Sequence, residues 1–242
     1  MRVGIIGFGR FGQLLAQMLK KEHRVIVFDN NLVLKNKAKN LGVAFNNLET
    51  VCRQDLVILA APISQIEKLL LQIKNKLLNN VIVMDTCSVK EYPAVLMQKI
   101  LPQKIQILAT HPMFGPDSAK HGLMGLKMVF CPLRVSAKNY QLVKRTFQKL
   151  GLKIIQTTPE EHDRQNALSL ALVHFVGRGL EKMKIKPQTL TTLGFERLLK
   201  VCETVTNDTW QLFEDMQNYN RFAKPLRKKF IRAMATIDKK LK

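Results

Sequence analysis

Three clusters of residues in this chain have the types and spacing to do chemistry. The first is Gly7-Phe8-Gly9-Arg10-Phe11-Gly12, a GxGxxG run. It follows the apolar segment Val3–Ile6, opens a helical pattern, and is succeeded by Asp29 at the end of the next apolar segment. Each glycine has a task in such a loop. Gly7 makes a tight turn, Gly9 lets backbone approach a pyrophosphate, and Gly12 lets helix and strand pack closely. The helix N-terminus offers free N–H groups and a positive dipole end to phosphates. Asp29 can accept hydrogen bonds from both ribose hydroxyls and would repel a 2′-phosphate, which favours NAD over NADP as cofactor. Arg10 either lies over the pyrophosphate or is a solvated first-turn arginine. Phe8 and Phe11, inside the loop, with Ala61 and Pro62 after the segment Leu56–Ala60, complete the expected cofactor-binding set.

The second cluster is Asp85-Thr86-Cys87-Ser88-Val89-Lys90, directly after Val81–Met84, and the third is Thr110-His111-Pro112-Met113-Phe114-Gly115-Pro116, directly after Gln106–Ala109. In an open parallel sheet, ligands bind beyond the carboxyl ends of the strands. Ser88 and His111 are therefore expected to face the nicotinamide end of a dinucleotide cleft, as the catalytic residues. Histidine is suited to take a proton from an alcohol at neutral pH while a hydride leaves the same carbon. Ser88 can hold the reacting hydroxyl or the cofactor's carboxamide. The plainer reading of His111 is a solvated or capping loop residue, but its place after a strand end favours chemistry.

The elements that must position these residues alternate. Val3–Ile6 reads as a strand, and Arg10–Lys21 as a helix with Phe11, Leu14, Leu15, Met18 and Leu19 on one face. Val25–Phe28 is a second strand, Asn31–Leu41 a helix, Leu56–Ala60 a strand and Ile63–Leu78 a helix. Val81–Met84 and Gln106–Ala109 supply further strands. Lys127–Cys131, the helix Asn139–Leu150 and the strand Lys153–Gln156 close the domain. Apolar strands alternating with helices predict an α/β fold, a doubly wound Rossmann-type parallel sheet covered on both faces. After Thr158 no strand pattern survives. Pro159–Met183, Leu190–Thr206 and Asp208–Leu241, the last with a break at Pro225, read as helices. The expected boundary divides residues 1–157, a dinucleotide-binding domain, from residues 158–242, an all-helical domain for substrate binding and dimerisation. The helical part carries Leu168, Leu172, Val176, Leu180, Leu198, Leu199 and Val201, much apolar surface for its size, so a homodimer is expected.

Composition narrows the partners. With 242 residues and 46% hydrophobic content the chain can bury one core plus a smaller one. The longest apolar runs are strand-length, so no membrane association is expected. The N-terminus lacks a signal-peptide pattern, so no processing is expected. The formal charge of +21 is large, but the basic residues are spread without a recognition motif. The charge is read as a field that attracts small anions rather than as a nucleic-acid interface. Cys52, Cys87, Cys131 and Cys202 show no CxxC spacing, and read as reduced core thiols of a cytoplasmic protein with neither metal site nor disulfide.

At this point a family resemblance comes into view. Asp85–Pro93 (DTCSVKEYP), Thr110–Gly125 (THPMFGPDSAKHGLMG), Glu161-His162-Asp163 and His174 with Gly177-Arg178 resemble the prephenate/arogenate dehydrogenases of tyrosine biosynthesis, most of all the short plant-type arogenate dehydrogenases. The likeness runs from the glycine loop through Gly194-Phe195-Glu196 to about Asn220. It implies oxidative decarboxylation of arogenate or prephenate, a cyclohexadienyl dicarboxylate or its amino analogue, with hydride transfer to NAD(P). His111 matches the catalytic histidine and Ser88 the serine at the same centre. His174 and Thr192 match substrate-pocket positions, Thr192 having helix capping as its bland alternative. His162, of the EHD motif, reads as structural. An acidic residue at the position of Asp208 goes with arogenate, since a carboxylate favours an ammonium; the bland alternative is a helix N-cap.

Departures from the family accompany the likeness. Many bacterial members carry an arginine that binds the ring carboxylate, whereas Val201–Asp208 holds Cys202 and Glu203 instead. Arg178 and Lys90 are the candidate replacements. Plant-type enzymes generally use NADP, against which Asp29 stands. With no chorismate mutase segment before the loop or regulatory domain after the helices, tyrosine feedback through an added domain is not expected. Two rival readings remain. One is a β-hydroxyacid dehydrogenase, to which the HPMFGP run is foreign; the other is an NAD(H)-binding sensor without catalysis.

Overall fold

The computed structural model describes residues 1–241. They form two compact units, Met1–Pro159 and a second beginning at Glu160.

The first unit is built on eight strands: β1 (Arg2–Ile6), β2 (Arg24–Phe28), β3 (Ala44–Phe45), β4 (Leu56–Leu59), β5 (Ile82–Asp85), β6 (Gln106–Pro112), β7 (Lys127–Arg134) and β8 (Lys153–Gln156). Their order in the sheet is β3-β2-β1-β4-β5-β6-β7-β8. The strands from β3 to β6 run parallel. The order reverses between β1 and β4, which places the switch point of a doubly wound sheet beside the glycine loop. Four short strands (β1, β2, β4, β5) are apolar nearly throughout because helices cover both faces. On one face Val3, Ile5, Val27, Leu56, Ile58, Met84, Leu108 and Phe130 form a continuous core with Leu15 and Leu19 of α1 (Arg10–Leu19). Phe130 meets Tyr140 and Phe147 of α7 (Ala137–Lys149) edge-on, with centroids 6.0 Å apart in both pairs.

Three features depart from the predicted pattern. First, the sheet is mixed: β7 is antiparallel to β6, and β8 returns parallel to β7. Apolar β7 reads the same in either direction, because burial on both faces leaves no alternation to reveal polarity. Second, β6 continues past Ala109 through Pro112, so His111 lies within a paired strand opposite Val129 instead of in a loop. Third, the predicted helix Ile63–Leu78 starts with a 3-10 turn at Ile63–Gln65 and its regular part, α4, covers only Ile66–Ile73. The pattern did not reveal β3, the short helices α3 (Leu48–Cys52) and α6 (Pro116–Ala119), or α5 (Glu91–Ile100). Helix α2 itself spans Leu34–Leu41.

The second unit is helical. From α8 (Pro159–Asn166) a five-residue π-helical segment, Ala167–Ala171, leads into α9 (Leu172–Lys182). There follow α10 (Leu193–Thr206), α11 (Trp210–Asn218) and α12 (Ala223–Asp238). The Gln217 amide donates to the Ala171 carbonyl at 2.7 Å, a side chain bonded where the helical ladder is widened. Pro225 does not break the last helix. It sits in the first turn of α12, where its missing N–H costs nothing, and the chain turns at 219–222 instead. Gly177 on α9 packs against Val205 of α10: a Cβ there would lie 2.4 Å from Val205 Cγ2.

Candidate active site

The carboxyl ends of β1, β4, β5 and β6 share one edge of the sheet, and each carries part of the candidate site. At the end of β1, Gly7 has φ +100°, and a Cβ there would lie 2.3 Å from the Ala60 carbonyl oxygen. A Cβ on Gly12 would lie 2.1 Å from the Gly7 carbonyl oxygen. Nothing stands within 4 Å of a Cβ placed on Gly9, the N-cap of α1, which carries no side chain to accept the first-turn N–H groups. The loop is thus closed behind and open in front, the shape a pyrophosphate needs at a helix N-terminus. The Gln13 amide donates to the Phe8 carbonyl at 2.9 Å and steadies it.

A cleft of about 370 Å³ lies against this loop, lined by Gly7, Gly9, Asp29, Ala61 and Pro62 among others. Asp29 is fixed at the end of β2. Its carboxylate accepts the Phe8 N–H at 2.7 Å and the Asn31 N–H at 2.8 Å. Phe8 is a core side chain, fully buried, and contributes to this site only through its backbone. Phe11 packs its ring against Phe114, centroids 6.2 Å apart, and Arg10 pairs with Asp117 at 2.9 Å. These two contacts tie α1 to the segment after β6. Asn30, Asn31, Gln65, Lys68 and Gln72 also line the cleft. Sequence reading missed them because loop and helix-face polar residues carry no motif.

Ser88 and His111 are both buried, after β5 and within the end of β6, which are neighbours in the sheet. Close by in the chain is a pair of fully buried charges, Asp85 and Lys90, in direct contact. Lys90 was read from the sequence as a possible ligand for a substrate carboxylate. The fold corrects that: its ammonium is buried against Asp85 and donates to the Thr110 carbonyl.

The second unit holds the other expected residues. His174 is buried on α9, its Nε2 3.8 Å from Asp208 Oδ2. Burial, with Arg178 adding to it, pushes the His174 pKa down to about 4, so the ring is neutral at physiological pH. His174 Nδ1 has no hydrogen-bond partner. Arg178 donates to Glu181 at 3.0 Å and to the Asp208 carbonyl at 2.6 Å, and stacks over the Trp210 ring at 5.6 Å. The bland reading of Asp208 as a helix cap does not hold, because Thr209 caps α11 by accepting from Leu212 N–H. For Thr192 the bland reading does hold: it is exposed and caps α10, accepting from Phe195 N–H. His162 bonds to Asp163 at 2.7 Å, both side chains buried, and Asn220 donates to the Asp163 carbonyl. That cluster ties α8 to the turn before α12. Among the described residues, no group of three or more His, Cys, Asp or Glu is placed to hold a metal ion.

A doubly wound sheet with this glycine loop at its switch point defines a nucleotide-binding domain of the dehydrogenase type, and comparison with known proteins agrees. The family model described as prephenate dehydrogenase, nucleotide-binding domain, matches residues 15–156, and one described as TYRAAT1-like, C-terminal domain, matches residues 179–242. Arogenate dehydrogenase 2, chloroplastic, of Arabidopsis thaliana is 31% identical over all of this chain and 70% of its own length. A probable arogenate/prephenate dehydrogenase of Methanocaldococcus jannaschii is 27% identical, again over all of this chain and 57% of its own. A crystal structure of prephenate dehydrogenase from A. aeolicus in complex with hydroxyphenyl propionate and NAD+ superposes with a TM-score of 0.79 at 20% identity, covering 99% of this chain and 90% of that one. The chain belongs to the prephenate/arogenate dehydrogenase family of oxidoreductases.

Proposed function

We propose that the chain carries out oxidative decarboxylation of arogenate or prephenate in tyrosine biosynthesis, with NAD as the preferred cofactor. The observation that carries the reading is the shared sheet edge. Ser88, just after β5, and His111, near the end of the adjacent strand β6, lie at the same carboxyl end as a glycine loop whose shape fits a dinucleotide. The nicotinamide cofactor, when bound, supplies the hydride acceptor. The chain's own residues do the rest. The first-turn N–H groups of α1 hold the phosphates, and Asp29 receives the ribose hydroxyls. His111 takes the ring hydroxyl proton onto an imidazole nitrogen as the carbinol C–H bond breaks, and Ser88 hydrogen-bonds the same oxygen. The ketone so formed is conjugated to the carbon bearing the carboxylate. Loss of carbon dioxide then sends the C–C bonding pair into the ring, which becomes aromatic, and the phenol oxygen recovers a proton. Catalysis by the protein is mainly positioning and proton removal.

Asp208 supports arogenate as the better substrate. Its carboxylate is partly exposed, does not cap α11, and lies 3.8 Å from His174 Nε2, so its charge is complementary to the ammonium that distinguishes arogenate. The fixed carboxylate of Asp29 supports NAD over NADP. Four buried cysteines without disulfides fit a reducing compartment such as the cytoplasm. No helix among the described residues is long and apolar enough to cross a membrane. The direct test is His111→Ala: turnover of both substrates should fall by about 10³-fold while NADH still binds. Turnover retained within a few-fold would remove His111 from the mechanism.

A further inference from the structure

Lys90 and Asp85 are the most deeply buried charges beside the candidate catalytic pair, and their bonds form a pattern. The parallel ladder between β5 and β6 ends at Met84 opposite Leu108. Beyond that point side chains replace it. Asp85 Oδ1 accepts the Thr110 N–H at 3.1 Å, and Oδ2 accepts the Cys87 N–H at 3.0 Å as well as the Lys90 ammonium. Lys90 donates in turn to the Thr110 carbonyl, and the Thr110 hydroxyl donates to the Asp85 carbonyl. One carboxylate therefore ties down the residue before Ser88, the residue two positions after it, and the residue before His111.

A buried ion pair is a poor way to gain stability. Desolvation costs several kcal/mol per ion, and an apolar pair of similar volume commonly does as well. What this pair provides is a fixed distance between two strand ends just where backbone pairing has stopped. We propose that Asp85 and Lys90 are positioning residues that hold Ser88 and His111 at their working separation; this rests on the dehydrogenase reading above. Neither side chain touches substrate in this account. Their effect passes through the 87–90 turn and Thr110, and a displacement near 1 Å at such a site can cost about 10²-fold in rate.

The test uses Lys90→Met and the neutral pair Asp85→Asn/Lys90→Met in the full chain. The single variant leaves one buried carboxylate without its countercharge and is expected to lower Tm. The double variant removes both charges and should recover most of that loss. If the pair positions the catalytic residues, the double variant binds NADH within about threefold of wild type. Its kcat nevertheless stays about 10²-fold down, and the primary isotope effect with substrate deuterated at the carbinol carbon rises as hydride transfer becomes limiting. A double variant with restored Tm, wild-type kcat and an unchanged isotope effect would show the pair to be structural only, overturning the proposal. Wild-type protein run alongside separates the two claims: if it turns over neither substrate, the dehydrogenase reading fails, whatever the variants do.

Discussion

At the scale of single residues, burial decides what a charged or titrating group can do. His174 is held neutral by burial and by Arg178, with a pKa near 4 against about 6.5 for an ordinary histidine. Because its folded pKa is depressed, the unfolded chain binds more protons below pH 6.5. Stability linked to this group is therefore complete above that pH and is lost as pH falls toward 4, by up to about 3 kcal/mol. Denaturant titrations of wild type and His174→Gln between pH 7 and 4 should show a shallower decline in the variant; parallel curves would contradict the assignment. Asp29 offers a second residue-level prediction. Asp29→Asn removes the charge facing a 2′-phosphate, and should raise the NADP-to-NAD ratio of kcat/KM by tenfold or more. An unchanged ratio would mean that Asp29 does not select the cofactor. Residue types and spacing alone nominate Gly7–Gly12, Asp29, Ser88 and His111, and the fold places them after or near the ends of β1, β2, β5 and β6. Lys90 was misread as a ligand because sequence shows charge but not its partner, and Asp85 is the partner.

At the scale of elements, the glycine loop separates shape from space. Gly12 is in near contact with Gly7, whereas Gly9 faces open volume. Gly12→Ala should destabilise the domain by roughly 1–3 kcal/mol through overpacking. Gly9→Ala should leave Tm nearly unchanged yet weaken NADH binding at least tenfold, by filling the room left for phosphate. Tight NADH binding by Gly9→Ala would show that the loop does not hold the pyrophosphate. The apolar runs of β1, β2, β4 and β5 and the amphipathic helices were legible because burial sets their pattern. What escaped was of two kinds. Short elements such as β3 and α3 span too few residues for a period to register. Strand direction and extent escaped too, since β7 turns antiparallel and prolongs β6 through His111 by pairing partners that are distant in sequence. Pro225 misled because its position matters: it sits in the first turn of α12, where a helix needs no N–H from it.

For the whole molecule, the proposal is that the first unit binds the cofactor and the helical second unit, beginning at Glu160, serves the substrate. The helical unit exposes Leu168, Val173, Ile231, Met234 and Ile237, apolar surface that a homodimer would cover. Sedimentation of wild type is expected to give a dimer, and Ile231→Asp/Met234→Asp a monomer; a wild-type monomer at micromolar concentration would rule the dimer out. On the proposed function, a net charge of +21 would concentrate an anionic cofactor and a dicarboxylate near the protein, so kcat/KM should fall as salt rises. The central claim is tested most directly by assaying purified protein with arogenate and with prephenate, each with NAD and with NADP, following reduced cofactor and released carbon dioxide together. Equimolar formation of both is expected, fastest with arogenate and NAD. Folded protein that binds NADH yet turns over neither substrate would contradict it.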